Sequence, residues 1–176
     1  MNAVLQQLKD EAGTSHLLAP YVHCPTQVLD AFVDFLQLTP DVSVVEIGFG
    51  DARIMRHIVE TTDVSVTGFE VDPEALEDAH RQREDMEEAF KDKLRLYGKD
   101  AMQAEPDECD WAAVDVCYAY LTKAGLRQVF PQLQERMRPG AAFYCIQFSV
   151  DGADAVEEGG FDFVDDKGED QHFTFY

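Results

Sequence analysis

Apolar residues along the chain alternate between helical spacing and short continuous runs. They recur at helical spacing over residues 28–36, where Thr26 stands in the position of an N-cap. Residues 43–47 then form a short β-branched run, which predicts a strand that leads into Gly48 and Gly50. Helical spacing returns after these glycines, so the pattern predicts a strand, a glycine turn and a helix in succession.

The same alternation continues to the end of the chain. Residues 64–69 predict a second strand, and Asp72 with Pro73 begins a long charged helix as its N-cap and first residue. Thr122 caps a later predicted helix. Further strands are predicted at residues 94–97, 112–118, 141–148, 161–164 and 172–176. Helices between strands predict an α/β fold, a doubly wound, mostly parallel seven-stranded sheet with helices on both faces and a C-terminal antiparallel hairpin.

Chain length and the lack of an interdomain linker predict one domain over residues 1–176, with residues 1–17 as an N-terminal helix or extension. No apolar run is long enough to span a membrane, and the N-terminus lacks the pattern of a secretory signal. The four cysteines have neither metal-binding nor Cys-x-x-Cys spacing. We therefore expect a cytoplasmic protein with reduced thiols and no bound metal.

The charge of the chain excludes some classes of partner. It has 35 Asp and Glu against 14 Lys and Arg, a formal net charge of −21 and a pI near 4.3. Nucleic-acid binding through a broad basic surface is excluded, because affinity for phosphates depends on Lys and Arg. An anionic membrane surface is disfavoured for the same reason. A basic protein partner or a saline solvent fits this charge, and no oligomeric state is indicated.

The glycine turn after the first strand has the chemistry of a nucleotide site. Gly48 and Gly50 let the backbone turn sharply and approach a ligand, and the following helix offers free N–H groups. Glu70 lies at the end of the second strand, where a carboxylate accepts hydrogen bonds from ribose hydroxyls. The arrangement predicts an adenosine-containing cofactor beyond the strand ends.

Two adenosine cofactors compete for this site. The dinucleotide fingerprint requires a third glycine where this chain has Arg53, and the pyrophosphate needs that space. Glu46 and Asp51 flank the turn, and their carboxylates would repel a pyrophosphate. They suit the ammonium and sulfonium groups of S-adenosyl-L-methionine, which we therefore predict as the cofactor in place of NAD.

Seven short stretches follow the order and spacing of one enzyme family. They are Pro20-Tyr21-Val22-His23-Cys24-Pro25-Thr26, Glu46-x-Gly48-x-Gly50, Gly50-Asp51-Ala52-Arg53-Ile54, Lys99-Asp100-Ala101, Tyr120-Leu121-Thr122, Arg138-Pro139-Gly140 and His172-x-x-x-Tyr176. With them, residues 18–176 resemble the class I, Rossmann-like S-adenosylmethionine-dependent methyltransferases. Within that class they resemble the small protein-lysine methyltransferases of archaea, bacteria and mitochondria.

The resemblance implies a role for each matching position. Glu46 and the backbone of residues 48–50 hold the methionine part of the cofactor, and Glu70 holds the ribose. Asp100 reaches the adenine amino group. The full set that the resemblance places around the cofactor is Tyr21, Thr26, Glu46, Gly48, Phe49, Gly50, Asp51, Glu70, Val71, Asp100 and Ala101. Among these, Tyr21 and Thr26 close over the methionine end.

The acceptor side is implied by aromatic residues after the fourth strand. By resemblance Tyr118 and Tyr120 line a channel for the methyl acceptor, although either could equally be a core aromatic. A lysine acceptor must be neutral, and an apolar channel beside a sulfonium lowers its pKa. No catalytic base is therefore required. His23, beside the predicted methionine end of the site, is the one candidate for such a base.

Three positions depart from the family pattern. Ala52 replaces a glycine, which a methyl group tolerates if the residue is already helical. Lys99 replaces a glycine and brings a cation beside the adenine-binding Asp100. The family's threonine falls on Cys24, so Thr26 takes its role only with a shift in register. These departures keep two alternatives open, a small-molecule methyltransferase on the same fold and a non-catalytic protein that binds an adenosine ligand.

Overall fold

The structure, a computed structural model, describes residues 23–176. The predicted N-terminal helix or extension over residues 1–17 lies outside the described residues, as does Tyr21. Between residues 23 and 176, no helix combines the length and the apolar character needed to cross a membrane.

Helices and strands alternate along the described chain. The helices are α1 (Thr26–Leu36), α2 (Arg53–Thr62), α3 (Pro73–Glu84), α4 (Glu88–Lys91) and α5 (Lys123–Arg136). The strands are β1 (Val44–Ile47), β2 (Val66–Phe69), β3 (Leu94–Tyr97), β4 (Val116–Ala119), β5 (Ala142–Cys145), β6 (Gly159–Val164) and β7 (Asp170–Phe175). Two short 3₁₀ turns, Ala101–Gln103 and Trp111–Ala113, lie between β3 and β4.

Strands β1 to β5 form a parallel sheet in the order β3-β2-β1-β4-β5, and β6 pairs antiparallel with β7. The hairpin joins the sheet just beyond β5, where Ile146 bridges antiparallel to Phe175. Cys145 and Tyr176 exchange two backbone hydrogen bonds there, of 2.9 and 3.0 Å. The predicted α/β fold, with its parallel sheet and C-terminal hairpin, is confirmed, although the sheet itself has five strands and not seven, because a single bridge joins the hairpin to it.

Local capping chemistry explains where several helices begin. The Asp72 carboxylate accepts hydrogen bonds of 2.8 and 3.2 Å from two backbone N–H groups in the first turn of α3, whose first residue is Pro73. The Thr122 hydroxyl accepts a 3.2 Å bond at the start of α5. Both predicted caps are confirmed. The prediction that Thr26 is an N-cap is wrong, because the extended Pro25 precedes the helix and Thr26 is its first residue.

Several predicted elements are shorter than the sequence suggested, such as the fifth strand, which is predicted over residues 141–148 and spans only Ala142–Cys145. The long charged helix ends at Glu84, because Met86 turns into the core and α4 begins separately. The fourth strand begins at Val116, because residues 111–113 form a 3₁₀ turn. The Asp110 carboxylate caps that turn by accepting a 3.1 Å hydrogen bond from the Ala112 N–H.

The sheet separates two apolar layers. One lies beneath α1, α2 and the hairpin, and the other lies beneath α5. Side chains of β1 alternate between them, so Val45 and Ile47 enter the α5 layer and Val44 enters the α1 layer. By the same alternation Glu46 faces the α1 layer, on the side occupied by Tyr118.

Candidate functional site

The glycine turn lies directly after β1. Gly48 has φ +73°, and a Cβ there would meet the Leu121 side chain at 2.9 Å. Its N–H donates a 2.8 Å hydrogen bond to the Phe69 carbonyl at the end of β2. Gly50 also has a positive φ, of 58°. The turn therefore requires glycine both for its backbone angles and for its close packing.

Glu70 joins the end of β2 to this turn. One carboxylate oxygen, Oε2, accepts a 2.9 Å hydrogen bond from the Gly50 N–H. The other, Oε1, accepts bonds of 2.7 and 2.9 Å from the N–H groups of Val71 and Asp72. Because Oε2 receives one N–H, it retains the capacity to accept a second donor such as a ribose hydroxyl.

Glu46 is a buried carboxylate in the middle of the sheet. Its partner in register on β4 is Tyr118, whose hydroxyl donates a 2.8 Å hydrogen bond to Glu46 Oε2. Burial raises the pKa of Glu46, and the nearby carboxylates of Glu70 and Asp51 add to the rise, while the Tyr118 hydrogen bond opposes it. Burial also raises the pKa of Tyr118, so its hydroxyl keeps its proton and acts as the donor.

Asp51 and Arg53 connect the turn to the residues before α1. Asp51 is buried and accepts hydrogen bonds from the Arg53 guanidinium, at 2.6 Å from Nη2 and 3.0 Å from Nε. Arg53 Nη1 also donates a 3.1 Å bond to the Cys24 carbonyl, and Nη2 contacts the His23 ring. His23, the candidate base, is therefore engaged with this ion pair.

Three of the predicted cofactor residues have side chains that the structure places in other contacts. The Phe49 side chain is buried in the core. Thr26 is exposed, and within residues 23–176 its hydroxyl hydrogen-bonds only to the Gln27 side chain, at 3.3 Å. The Val71 side chain is 45% exposed beside Glu70.

The loop after β3 carries Asp100 and Ala101, the residues predicted to lie at the adenine. Asp100 is exposed and accepts a 2.9 Å hydrogen bond from the Met102 N–H, which caps a turn that begins at the buried Ala101. Lys99 forms a 2.7 Å ion pair with Glu108. Their mutual hydrogen bond raises the pKa of Lys99 and lowers that of Glu108. The predicted cation beside Asp100 is thus paired with a carboxylate.

Ala52 lies in the left-handed region, with φ 61° and ψ 19°, as the residue before α2. The condition under which its methyl group is expected to be tolerated, that the residue is already helical, is therefore not met. A left-handed conformation costs a non-glycine residue about 1 kcal/mol, and Ala52 adopts it because the turn overrides the local preference.

The two predicted acceptor-channel tyrosines occupy different environments. Tyr118 is fully buried, which supports the alternative that it is a core aromatic. Tyr120 is half-buried after β4, and its ring packs edge-on against Phe173 of the hairpin with centroids 6.1 Å apart. Burial raises the pKa of Tyr120. Tyr120 is therefore the better placed of the two to contact an acceptor.

Two contacts of this site have no local signal in the sequence. The Gln82 amide of α3 donates a 2.9 Å hydrogen bond to Asp51, which lies 31 positions earlier. The Tyr118 hydroxyl reaches Glu46 across 72 positions. The pairing of β1 with β4 brings Tyr118 to Glu46, and the position of α3 brings Gln82 to Asp51. Over the described range, residues 23–176, no group of three or more His, Cys, Asp or Glu side chains could hold a metal ion.

Comparison with known proteins supports the fold. No protein-family model and no curated protein sequence matches the chain. An RNA methyltransferase from Salinibacter ruber, solved with S-adenosyl-L-homocysteine, is 22% identical with a TM-score of 0.70, over 88% of this chain and 92% of that one. A precorrin-6y C5,15-methyltransferase from Geobacter metallireducens is 14% identical with a TM-score of 0.66, over 99% of this chain and 97% of that one.

A third solved structure shows the same likeness. It is a SAM-dependent methyltransferase from Thiobacillus denitrificans with S-adenosyl-L-homocysteine, 16% identical with a TM-score of 0.57, over 90% of this chain and 56% of that one. The chain has the class I methyltransferase fold. None of the three is named as a protein-lysine methyltransferase, so the likeness supports the class I fold and not that branch.

In the methyltransferase fold, the residues described above occupy one edge of the sheet. The glycine turn follows β1, Glu70 follows β2, Asp100 follows β3 and Tyr120 follows β4. Because all four strands are parallel, their carboxyl ends meet at that edge, where ligands of open α/β sheets bind.

Proposed function

We propose that this protein transfers a methyl group from S-adenosyl-L-methionine to the side-chain amine of a protein lysine. The observation that carries the proposal is the group of buried carboxylates around the glycine turn: Glu46 is 1% exposed, Asp51 3% and Glu70 8%. It lies in a fold whose solved examples include proteins with S-adenosyl-L-homocysteine bound.

The charges around the turn fit this cofactor better than a dinucleotide. The ammonium and sulfonium of S-adenosyl-L-methionine are attracted to Glu46 and Asp51, whereas a pyrophosphate would be repelled. Arg53 is engaged by Asp51 and does not offer its charge to a phosphate. Glu70 Oε2 would accept a ribose hydroxyl, and Asp100 would reach the adenine. When bound, the cofactor supplies an electrophilic methyl group; the chain positions it.

An aromatic edge suits an amine acceptor. A lysine side chain has a reference pKa near 10.4, so removing its proton at pH 7 costs about 4–5 kcal/mol. Only the neutral amine that results can attack the methyl group. Partial burial beside Tyr120 and Phe173 would disfavour the charged amine, and the sulfonium would add repulsion. The residues at this edge would therefore orient the amine and exclude water without a general base.

The electrostatics of the surface favour a basic acceptor over RNA. Near the site Arg53 is paired with Asp51 and Lys99 with Glu108, while Lys123 and Arg127 both contact Asp151. With a net charge of −21, the chain attracts basic partners and repels phosphates. Although one solved structure of this fold is named as an RNA methyltransferase, an RNA acceptor would have to overcome that repulsion.

A small-molecule acceptor is the second candidate, since the fold matches a precorrin methyltransferase over 97% of that enzyme's chain. An assay that follows labelled methyl groups from S-adenosyl-L-methionine separates the candidates. The acceptors are lysine-rich proteins, the same proteins with their amines blocked, RNA and small amines. We expect label only on proteins with free lysines. Label on small amines alone would select the second candidate. Calorimetric binding of NAD with none of S-adenosyl-L-methionine would overturn both.

A further inference from the structure

Tyr118 belongs to the core and touches the site only through Glu46. We propose that Tyr118 is a positioning residue that orients the Glu46 carboxylate toward the methionine end of the cofactor. This inference rests on the proposed function, because it assigns a second residue to the same cofactor site.

The sheet holds both side chains in place. Glu46 and Tyr118 are register partners on β1 and β4, and both are fully buried in the α1 layer. The Tyr118 ring is held edge-on against Phe32 of α1, with centroids 5.4 Å apart. Its hydroxyl lies 2.8 Å from Glu46 Oε2. A ring packed this closely has little freedom, so the carboxylate meets its donor in one geometry.

The other groups that face Glu46 do not favour its charged form. They are the carboxylates of Asp51 and Glu70 and, on the α1 side of the sheet, the thiol of Cys24. The carboxylates raise the pKa of Glu46 beyond what burial alone does, and the Tyr118 hydrogen bond lowers it. A charged carboxylate attracts an ammonium and a sulfonium, whereas a protonated one does not. The Tyr118 hydroxyl therefore increases the fraction of Glu46 that can bind the cofactor.

The test is the pH dependence of cofactor binding in Tyr118→Phe, with Tyr144→Phe as the matched control. Tyr144 pairs with Tyr118 in register on β5 and packs on Phe35, and within the described residues its hydroxyl has no hydrogen bond. Calorimetry measures the affinities for S-adenosyl-L-methionine and for S-adenosyl-L-homocysteine between about pH 6 and pH 9.

Tyr118→Phe should weaken binding of both ligands about tenfold at neutral pH, since a hydrogen bond to a charged group is lost. Affinity should rise with pH as Glu46 ionises, and Tyr118→Phe should shift that rise to higher pH. Tyr144→Phe should match the wild type. Glu46→Gln should remove the rise, and Tyr118→Phe should have little further effect in that background.

The outcomes separate this inference from the proposed function. If the wild type binds neither ligand, the proposed function fails and Tyr118 has no cofactor role. If the wild type binds and Tyr118→Phe follows Tyr144→Phe at every pH, the positioning role is overturned and the proposed function stands. If Tyr118→Phe does not fold, a rise in affinity that persists in Glu46→Gln overturns the proposal, because that rise cannot arise from Glu46.

Discussion

The two halves of the ligand edge are built from different chemistry. The proposed cofactor half, formed by the loops after β1, β2 and β3, is a set of carboxylates bound to backbone N–H groups, as at Glu70 and Asp100. The proposed acceptor half, formed by the end of β4 and by the hairpin, is aromatic, as at Tyr120 and Phe173. The first depends on turns of a few residues, and the second depends on segments far apart in sequence.

The aromatic half is assembled by α1 and the hairpin. Phe35 of α1 packs on Phe175 of β7, with ring centroids 5.5 Å apart. The hairpin approaches closely because Gly159 has no side chain: a Cβ there would meet the Phe35 ring at 2.7 Å. The difference between the halves predicts that substitutions in the cofactor half act on cofactor affinity, and those in the acceptor half on transfer.

The largest effect is expected from Glu70→Ala in the cofactor half. The change removes the acceptor of three backbone hydrogen bonds, from Gly50, Val71 and Asp72, together with the proposed ribose contact. We expect affinity for S-adenosyl-L-methionine to fall about 100-fold or more and the free energy of unfolding to fall by about 2 kcal/mol. Calorimetry measures the affinity, and chemical denaturation measures the free energy of unfolding. Glu77→Ala, an exposed acid on α3, is the control, and an equal loss there would remove the special role of Glu70.

A smaller and different effect is expected from Tyr120→Ala in the acceptor half. The substitution opens the aromatic edge to water and removes the partner of Phe173. We expect the rate of transfer to a lysine-rich protein to fall about 10-fold to 100-fold, with the affinity for S-adenosyl-L-methionine changed less than threefold. Single-turnover kinetics measure the rate of transfer, and calorimetry measures the cofactor affinity. A parallel loss of cofactor affinity would show that the two halves are not separate.

The stability of the cofactor half should depend on pH through Glu46. Burial raises the pKa of Glu46, so the unfolded chain releases this proton at a lower pH than the folded chain does. The stabilising contribution of the protonated carboxyl is therefore complete below the unfolded pKa and is lost as the pH rises toward the folded value. Glu46→Gln lacks this loss.

Chemical denaturation between about pH 4 and pH 9 measures the difference. Glu46→Gln should become progressively more stable than the wild type as the pH rises, although it binds S-adenosyl-L-methionine less well. The exposed Glu77→Gln should follow the wild type at each pH. Identical pH profiles for Glu46→Gln and the wild type would mean that Glu46 ionises normally in the folded chain.

What could be predicted from the sequence follows the same division. The caps at Asp72 and Thr122, the glycine turn and the acid after β2 are local features, and the sequence places them correctly. The bond from Tyr118 to Glu46 joins residues 72 positions apart, and it depends on β4 lying beside β1. Ala52 could not be predicted, because its left-handed backbone is imposed by the turn against its own preference.

Ala52→Gly should therefore stabilise the cofactor half by a modest amount. Glycine adopts φ 61° without steric strain, and its greater freedom in the unfolded chain offsets part of the gain. We expect about 0.5–1 kcal/mol in the free energy of unfolding, measured by denaturation, with unchanged affinity for S-adenosyl-L-methionine. Ala79→Gly, in the right-handed helix α3, is the matched control and should destabilise by about 1 kcal/mol or more. A loss of stability in both variants would contradict the strain at Ala52.

The smallest effect is expected from the acidic segment beside the acceptor half. Residues 151–170 contain nine Asp and Glu against one Lys, and Asp154, Glu157 and Glu158 are exposed. Changing these three to their amides should raise the KM for a lysine-rich acceptor about twofold to fivefold at low salt, because long-range attraction is weakened. Cofactor affinity should not change. The difference should vanish as salt shortens the screening length to a few ångströms, near 1 M. An effect that persists at high salt would instead indicate that the segment contacts the acceptor directly, which would extend the acceptor half beyond its aromatic edge.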